Sequence, residues 1–178
     1  MSTTKNASAN GVKAKSGAAK DLNELFLDSL KDIYWAENAL TKAIPKMAEN
    51  ASTKKLKDAL DDHLKETKEQ ISRLDEAFEM IDEKAEGKKC DAMAGIIAEG
   101  EDIMKETESG KVRDAGIIAA GQKVEHYEIA TYGTLIAWAE ELGIDDVAKI
   151  LKKTLKEEKA ADKKLSELAT QSINQKAK

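Results

Sequence analysis

Apolar residues recur every three or four positions along almost the whole chain, from Leu22 to Ile173. This spacing keeps them on one side of an α-helix, whereas a half-buried strand would alternate at every second residue. The 178 residues include a single proline and only two Trp, three Tyr and two Phe. Such a composition favours long helices and excludes a β-rich fold. The sequence therefore predicts an all-α protein.

Breaks in the apolar pattern divide the chain into four long helices. The first begins near Asp21 and ends before the short break ENAST, and the second ends near Ile81. The third runs from about Val112 to Leu142 and the fourth from about Asp146 to Ile173. Helices of these lengths are enough to build one hydrophobic core, so we expect residues 21–178 to form a single domain.

Residues that favour helix ends support these boundaries. They are Asp21 with Glu24 before the first helix, Ser52 or Thr53 before the second, Gly143 after the third and Asp145 before the fourth. Because proline has no backbone N–H group, Pro45 predicts a kink near the end of the first helix.

Residues 83–111 connect the two halves of the chain. A shorter apolar stretch from Met93 to Met104 predicts a short helix within this connection. A shift of 91 residues, which lays Leu56 on Val147, matches the first helical hairpin to the second. The predicted fold is therefore a ferritin-like four-helix bundle, made of two hairpins joined by a long crossover that carries a short extra helix.

Carboxylates interrupt the apolar side of every long helix. Glu37 and Glu66 lie at similar distances from the first hairpin turn, and Glu128 and Glu158 lie at similar distances from the second. At about 1.5 Å per residue, each is roughly 21–23 Å from its turn, so the acids can meet in the middle of the bundle. The candidate ligands are Glu37, Glu66, Glu125, Glu128, Glu158 and Asp162.

A buried cluster of carboxylates needs protons or cations to offset its charge. No lysine occupies the middle of these apolar sides. Two bound metal ions would offset most of the charge of six carboxylates. Because oxygen ligands suit hard ions, iron is the favoured metal, with manganese or zinc as alternatives.

Two pairs of neighbours compete for a place in this site. Glu158 fits the apolar side of the fourth helix better, whereas Glu157 fits the 91-residue repeat. Glu69 and Gln70 compete in the same way on the second helix. His126 lies about 100° around the helix from Glu125, so we expect it outside the site.

The chain resembles the YciE/YciF family of ferritin-like stress proteins over nearly all of residues 21–173. The resemblance rests on the stretches DIYWAENALTKAIPKMA, HLKETKEQISRLDEAFE, KCDAMAGIIAEGED, VRDAGIIAAGQKVEHYEIATYGTL and ILKKTLKEEKAADKKL. It implies a ferritin-like bundle, a homodimer, and a di-iron site with a ferroxidase label.

More distant relatives, the rubrerythrins and ferritins, share parts of the ligand pattern. Glu125-x-x-Glu128 resembles the paired glutamates of the third rubrerythrin helix. Glu158-x-x-x-Asp162 resembles Glu-x-x-x-His of the fourth, with aspartate in place of histidine. These matches imply a di-metal carboxylate site, and the missing histidine leaves the identity of the metal open.

The second helix departs from the ferritin-like Glu-x-x-His pattern. Glu69 stands three residues after Glu66, where the pattern has histidine, and His63 stands three residues before it. His63 is either a ligand or a hydrogen-bonded core residue. The remaining polar or aromatic residues near the site, which either support the ligands or pack as ordinary core, are Tyr34, Thr67, Gln70 and Tyr132.

Charge and cysteine content limit the classes of function. The net charge of −5 gives the domain no general attraction to nucleic acid, and residues 1–20, which carry four lysines and no acid, are expected to form a disordered basic tail. Cys90 is the single cysteine, which favours a reducing cytoplasm. No apolar run is long enough to span a membrane, so no membrane partner is expected.

Three functions remain. The first is a cytoplasmic di-metal protein that oxidises Fe(II) with oxygen or peroxide, in which Glu66 and Glu158 bridge the metals and Glu37 and Glu125 or Glu128 complete the site. The second is a non-catalytic helical stress protein with a structural metal or none. The third, which the acidic domain disfavours, is a DNA-binding mini-ferritin that uses the basic tail.

Overall fold

The structure is a computed structural model that describes residues 12–178. Residues 1–11 of the predicted basic tail lie outside the described residues, so the disorder of the tail stays a prediction. Residues 12–20 form neither helix nor strand. Within residues 12–178 the chain is helical and has no strand, which confirms the all-α prediction.

Five long helices follow one another along the chain, and a π-helical turn and a single short helix extend the last of them. Their bounds are α1 Leu22–Asn50, α2 Lys54–Met80, α3 Asp91–Glu106, α4 Lys111–Glu141, α5 Asp145–Leu168, the π-helical turn Ala169–Ile173 and α6 Asn174–Lys176.

Helices α1, α2, α4 and α5 form a four-helix bundle. α1 packs against α2 and α4, and α5 packs against α4 and α2. Helix α3, which belongs to the connection between the two hairpins, lies against α4 and α1. The predicted architecture, a ferritin-like bundle with a crossover that carries a short extra helix, is confirmed.

Each bundle helix contributes its apolar side to one core. Burying one such large side chain stabilises a fold by about 1.5–3 kcal/mol. Leu25, which the periodicity places on the apolar side, is an exception, since it lies in the first turn of α1 and is exposed. The largest fully buried side chains include Phe26, Leu30, Ile33, Leu40, Leu56, Leu74, Phe78, Ile117, Tyr132 and Leu135.

Most predicted helix ends agree with the structure to within a few residues. Asp21 caps α1 by accepting a hydrogen bond from the backbone N–H of Glu24 at 2.9 Å. Gly143 follows α4 with a φ of 71°, a left-handed conformation that favours glycine. The prediction of Asp145 as an N-cap is wrong by one residue, because Ile144 already accepts the first helical hydrogen bond, from Ala148.

The start of α2 is stabilised from another helix. Thr53 is its N-cap residue, but its hydroxyl does not bond to its own helix. Ser52 and Thr53 instead donate to Asp114, a buried residue in the first turn of α4. The backbone N–H of Ser52 donates to the same carboxylate at 2.6 Å. Asp114 thereby connects α4 to the turn between α1 and α2.

Pro45 and the end of the fourth predicted helix both concern the path of the helices. Pro45 lies inside α1, which continues to Asn50, and the kink there stays a prediction. The fourth predicted helix does reach Ile173, although its last turn is π-helical. None of the helices within residues 12–178 is both long and apolar enough to cross a bilayer.

Candidate metal centre

Carboxylates from three helices meet in the middle of the bundle. Glu37 comes from α1, Glu125 and Glu128 come from α4, and Glu158 comes from α5. Each is at most 2% exposed. The two glutamates of α4 are three residues apart, so they share one face of the helix. The surrounding core is apolar, and burial therefore makes these groups expensive to ionise.

Helix α2 adds His63 to this group. Ligand atoms of His63, Glu125, Glu128 and Glu158 all lie within 4.8 Å of one another. The imidazole is nearly buried, and its Nε2 atom lies 3.3 Å from Oε1 of Glu125. Together with Glu37, these residues are called the acid cluster below.

Neighbouring side chains orient two members of the acid cluster. The hydroxyl of Tyr132, itself fully buried, donates to Oε1 of Glu37 at 2.5 Å. The amide of Gln70 donates to Oε1 of Glu158. Both partners come from other helices than the carboxylate they bind, so the bundle itself fixes the direction of these carboxylates.

The competition between Glu157 and Glu158 has a structural answer. Arg73 holds Glu157 through two hydrogen bonds, of 2.6 and 2.7 Å, and donates a third to Thr154 at 2.9 Å. Glu157 is thereby turned toward α2, while Glu158 is the member of the pair that faces the cluster. Sequence reasoning missed Arg73, although it is the one arginine on the second helix and follows Glu69 by four residues.

Burial is the main cause of the raised pKa values in the cluster. It raises the pKa of Glu37 to about 8, with a further increase from the nearby charge of Glu158. Burial, followed by interactions with Glu158, raises the pKa of Glu125, and burial, followed by the charge of Glu37, raises that of Glu128. The pKa of Glu158 is also raised, again mainly by burial. The metal-free cluster therefore retains protons at neutral pH.

Unpartnered polar atoms identify the cluster as a place for cations. Among the described residues, eight buried side-chain oxygen and nitrogen atoms have no hydrogen-bond partner. All eight belong to Gln70 or to the acid cluster, and both carboxylate oxygens of Glu128 and both ring nitrogens of His63 are among them. Buried polar groups without partners are rare in folded proteins. Four carboxylates and one imidazole form a donor set that suits iron or manganese, so the residues present fit a metal centre.

Two predicted ligands lie outside this group. Glu66 is exposed on α2, and its Oε2 atom lies 3.6 Å from Nδ1 of His63. Asp162 is partly exposed on α5 and accepts a hydrogen bond from Gln122 at 3.1 Å. The structure does not bring either carboxylate into the acid cluster, and a ligand role for them stays a prediction.

Two other side chains from the sequence analysis also lie away from the cluster. His126 points to the surface, with 70% of its side chain exposed, and its Nε2 atom is 3.3 Å from Asp162. Its predicted place outside the site agrees with this position. Tyr34 packs edge-on against Phe78, with 5.5 Å between ring centroids. Of the two candidate tyrosines, Tyr132 is the one that bonds to a cluster carboxylate.

Comparison with known sequences places the chain in a family. Residues 21–178 match the family model described as "Domain of unknown function (DUF892)". Protein YciF of Escherichia coli (strain K12) is 48% identical over 159 residues, which cover 89% of this chain and 96% of YciF. The match therefore extends over the whole bundle and the crossover.

Solved structures with the same fold support this relationship. The E. coli stress protein YciF superimposes with a TM-score of 0.84 at 48% identity, covering 88% of this chain and 99% of its own. YcfI of Rhodopseudomonas palustris, which is described as a proposed structural protein, gives the same TM-score and identity over 86% of this chain and 98% of its own. A protein of Xanthomonas campestris, 21% identical, shares the fold with a TM-score of 0.70 over 87% of this chain and 95% of its own.

Proposed function

The chain belongs to the family described as a domain of unknown function (DUF892), together with YciF, and on this premise we propose that it is a di-metal carboxylate protein that oxidises Fe(II). Dioxygen or peroxide would be the oxidant, and iron the resident metal. The single observation that supports this proposal best is the acid cluster. Eight buried polar atoms of its five residues and of Gln70 have no hydrogen-bond partner.

The residues that would hold two metal ions are those of the acid cluster. Glu128 offers two free oxygens, and Glu37, Glu125 and Glu158 each offer one. His63 supplies nitrogen. Tyr132 and Gln70 keep Glu37 and Glu158 in place through hydrogen bonds. Carboxylates attract a trivalent ion more strongly than a divalent one, so this donor set favours Fe(III) over Fe(II) and thereby favours oxidation.

Protons enter this function at two separate steps, the binding of metal and the reduction of the oxidant. Two Fe(II) ions lose two electrons, which with two protons reduce dioxygen to hydrogen peroxide, or hydrogen peroxide to two water molecules. Because the pKa of Glu37 is raised to about 8, its carboxyl group is protonated at neutral pH before metal binds. Metal binding must displace such protons, since a ligand carboxylate is deprotonated. Loading with Fe(II) would therefore release protons before the oxidant arrives, and the later reduction would take up its protons from solvent.

Iron titration with a matched variant tests this proposal. Protein freed of metal is loaded with Fe(II) without oxygen, and oxygen uptake is then recorded against a protein-free control. We expect faster oxidation with the protein, and a decrease of at least about tenfold in Glu128→Gln, which removes one ligand charge without changing its size. Glu141→Gln changes an exposed glutamate on the same helix and should behave as the original protein. Oxidation no faster than in buffer, or unchanged in Glu128→Gln, would refute the proposal.

A non-catalytic role is the second candidate, and the description of YcfI as a proposed structural protein favours it. In that case the acid cluster would bind an ion that only stabilises the bundle. Thermal melting with and without a chelator separates the two roles. A loss of stability on chelation without any iron oxidation in the titration would support the structural role.

Three broader properties form part of the proposal. YciF is named a stress protein, and we extend a role under stress to this chain. A homodimer in the cytoplasm is the expected form of the protein. Light scattering of the purified chain would test the dimer, with a mass of twice 19.4 kDa as the expected result.

A further inference from the structure

An apolar cavity lies beside the acid cluster and is surrounded by all four bundle helices. Its volume is about 100 Å³. His63 and Glu125, two members of the acid cluster, form part of its lining. Most of the remaining wall is made of the side chains Leu40, Ile44, Met47, Leu60, Val124 and Leu165.

Small residues on two helices create this space. Gly121 lies on α4 inside the bundle, and a Cβ atom placed there would be 3.1 Å from Cδ1 of Leu165 and 3.8 Å from Cε of Met47. Ala160 and Ala161 line the cavity from α5. A larger side chain at Gly121 or Ala161 is expected to take up part of this space. The volume therefore depends on a few specific residues rather than on a general looseness of the bundle.

The cavity has a polar opening toward the surface. Glu66 and Lys164 line it and have 48% and 51% of their side chains exposed. They come from α2 and α5, so the opening lies between these two helices. A molecule can thus approach from solvent past two charged side chains and reach the apolar wall and the buried His63.

We propose that this cavity binds a small, uncharged, apolar molecule and holds it next to the acid cluster. Dioxygen and short hydrocarbon chains belong to this class. The proposal concerns the walls of the cavity and does not require a bound metal, so it can hold or fail independently of the iron-oxidation proposal.

Size and polarity both favour this class of ligand. An apolar cavity of about 150 Å³, somewhat larger than this one, stays dry and binds benzene or xenon. Charged molecules are excluded because their desolvation is costly on walls made of leucine, isoleucine and methionine. Peroxide, which needs several hydrogen bonds, would find His63 and Glu125 as partners in the buried part of the cavity, since Glu66 and Lys164 lie at its opening.

Xenon is a suitable probe, because it is apolar, uncharged and of the right size. Crystals of the full chain are exposed to xenon under pressure, and its position is found by anomalous scattering. In solution, shifts of the methyl NMR signals of Leu60 and Leu165 on addition of dissolved xenon measure the same binding. We expect a xenon site between these leucines and Val124 in the original protein.

Two glycines of α4 provide a matched pair of variants. Gly121→Leu fills the cavity and should decrease xenon occupancy at least about tenfold. Gly133→Leu adds the same side chain to the same helix at a position with nothing within 4 Å, and should leave occupancy unchanged. If Gly121→Leu does not fold, Ala161→Leu fills the cavity from α5 and takes its place. Absence of xenon from the original protein, or equal occupancy in the filled variants, would overturn the proposal.

Discussion

Glu37 illustrates how position changes the chemistry of an ordinary side chain. It is fully buried, one of its oxygens accepts from Tyr132, and the other has no donor. Such a carboxyl group stays neutral by keeping a proton, or stays charged by binding a cation. The same residue can therefore hold a proton in one state of the protein and a metal ion in the other.

Raised pKa values predict that the metal-free protein loses stability as pH rises. The folded state keeps a proton on Glu37 up to about pH 8, whereas the unfolded chain releases it near 4.5. Between these values the unfolded state binds fewer protons, so the free energy of unfolding decreases with rising pH. We expect the melting temperature of chelator-treated protein to fall steadily over this range. Glu37→Gln, which imitates the protonated group, should melt with a weaker pH dependence.

Glu141→Gln serves as the control for this experiment, because it alters an exposed glutamate and should keep the original pH dependence. The Glu125, Glu128 and Glu158 carboxyls, whose pKa values are also raised, should add to the same trend. A melting temperature that rises from pH 4.5 to 8 would contradict the assignment of buried, protonated carboxyl groups.

At the scale of single residues, the sequence predicts the cluster better than its exact membership. Buried carboxylates on α1, α4 and α5 follow from apolar periodicity, because each interrupts a regular apolar side. The choice between Glu157 and Glu158 depends on Arg73, which is more than 80 residues away along the chain and meets Glu157 only after folding. The exposure of Glu66 likewise depends on how α2 is rotated about its axis within the bundle. The apolar period of the sequence predicts which side of α2 faces the core only to within about one residue.

At the scale of elements, the start of α4 holds two hairpins together. Asp114 is fully buried and accepts hydrogen bonds from Ser52 and Thr53 in the turn between α1 and α2. Since each of these groups has a charged partner, Asp114→Ala should lower the free energy of unfolding by about 3 kcal/mol. Urea denaturation measures this change.

Asp102→Ala is a suitable comparison for the Asp114 variant. Asp102 pairs with Lys105 on the surface of α3, with 63% of its side chain exposed, and such pairs contribute only about 0–1 kcal/mol. An equal loss of stability in both variants would mean that the contact between α4 and the first turn is not specific.

Helix positions were the most predictable part of the fold, because they depend on local spacing and on residues such as Gly143. The helix ends at Thr53 and Asp145 were less predictable. Thr53 gives its hydroxyl to Asp114 on another helix, and α5 starts one residue before Asp145 because Ile144 completes the turn that follows Gly143. A contact with another helix decides the first case and the local turn after Gly143 decides the second, and the spacing of apolar residues predicts neither.

At the scale of the whole molecule, metal binding and folding stability should be linked. A divalent ion held by the acid cluster would bind only the folded bundle, because the cluster residues come from four helices and the unfolded chain has no comparable site. At a free metal concentration of 100 times the dissociation constant, the expected stabilisation is about 2.7 kcal/mol per site. Calorimetry of chelated protein with increasing Mn(II), which resists oxidation by air, should show a rising melting temperature.

Glu128→Gln should reduce this effect of Mn(II), while Glu141→Gln should not. A melting temperature that does not respond to Mn(II), or that responds equally in both variants, would argue against a metal site in the acid cluster. Because this measurement involves no turnover, it remains informative even if the protein oxidises no iron.

The position of α3 makes the two sides of the bundle different. The two hairpins repeat each other in sequence, but among the described residues α3 lies mainly against α1 and α4, so it covers one side of an otherwise two-fold arrangement. The opening lined by Glu66 and Lys164 lies on the opposite side, between α2 and α5. A partner or a further segment of chain that covered α2 and α5 at this opening would therefore also restrict the small molecules that enter the cavity.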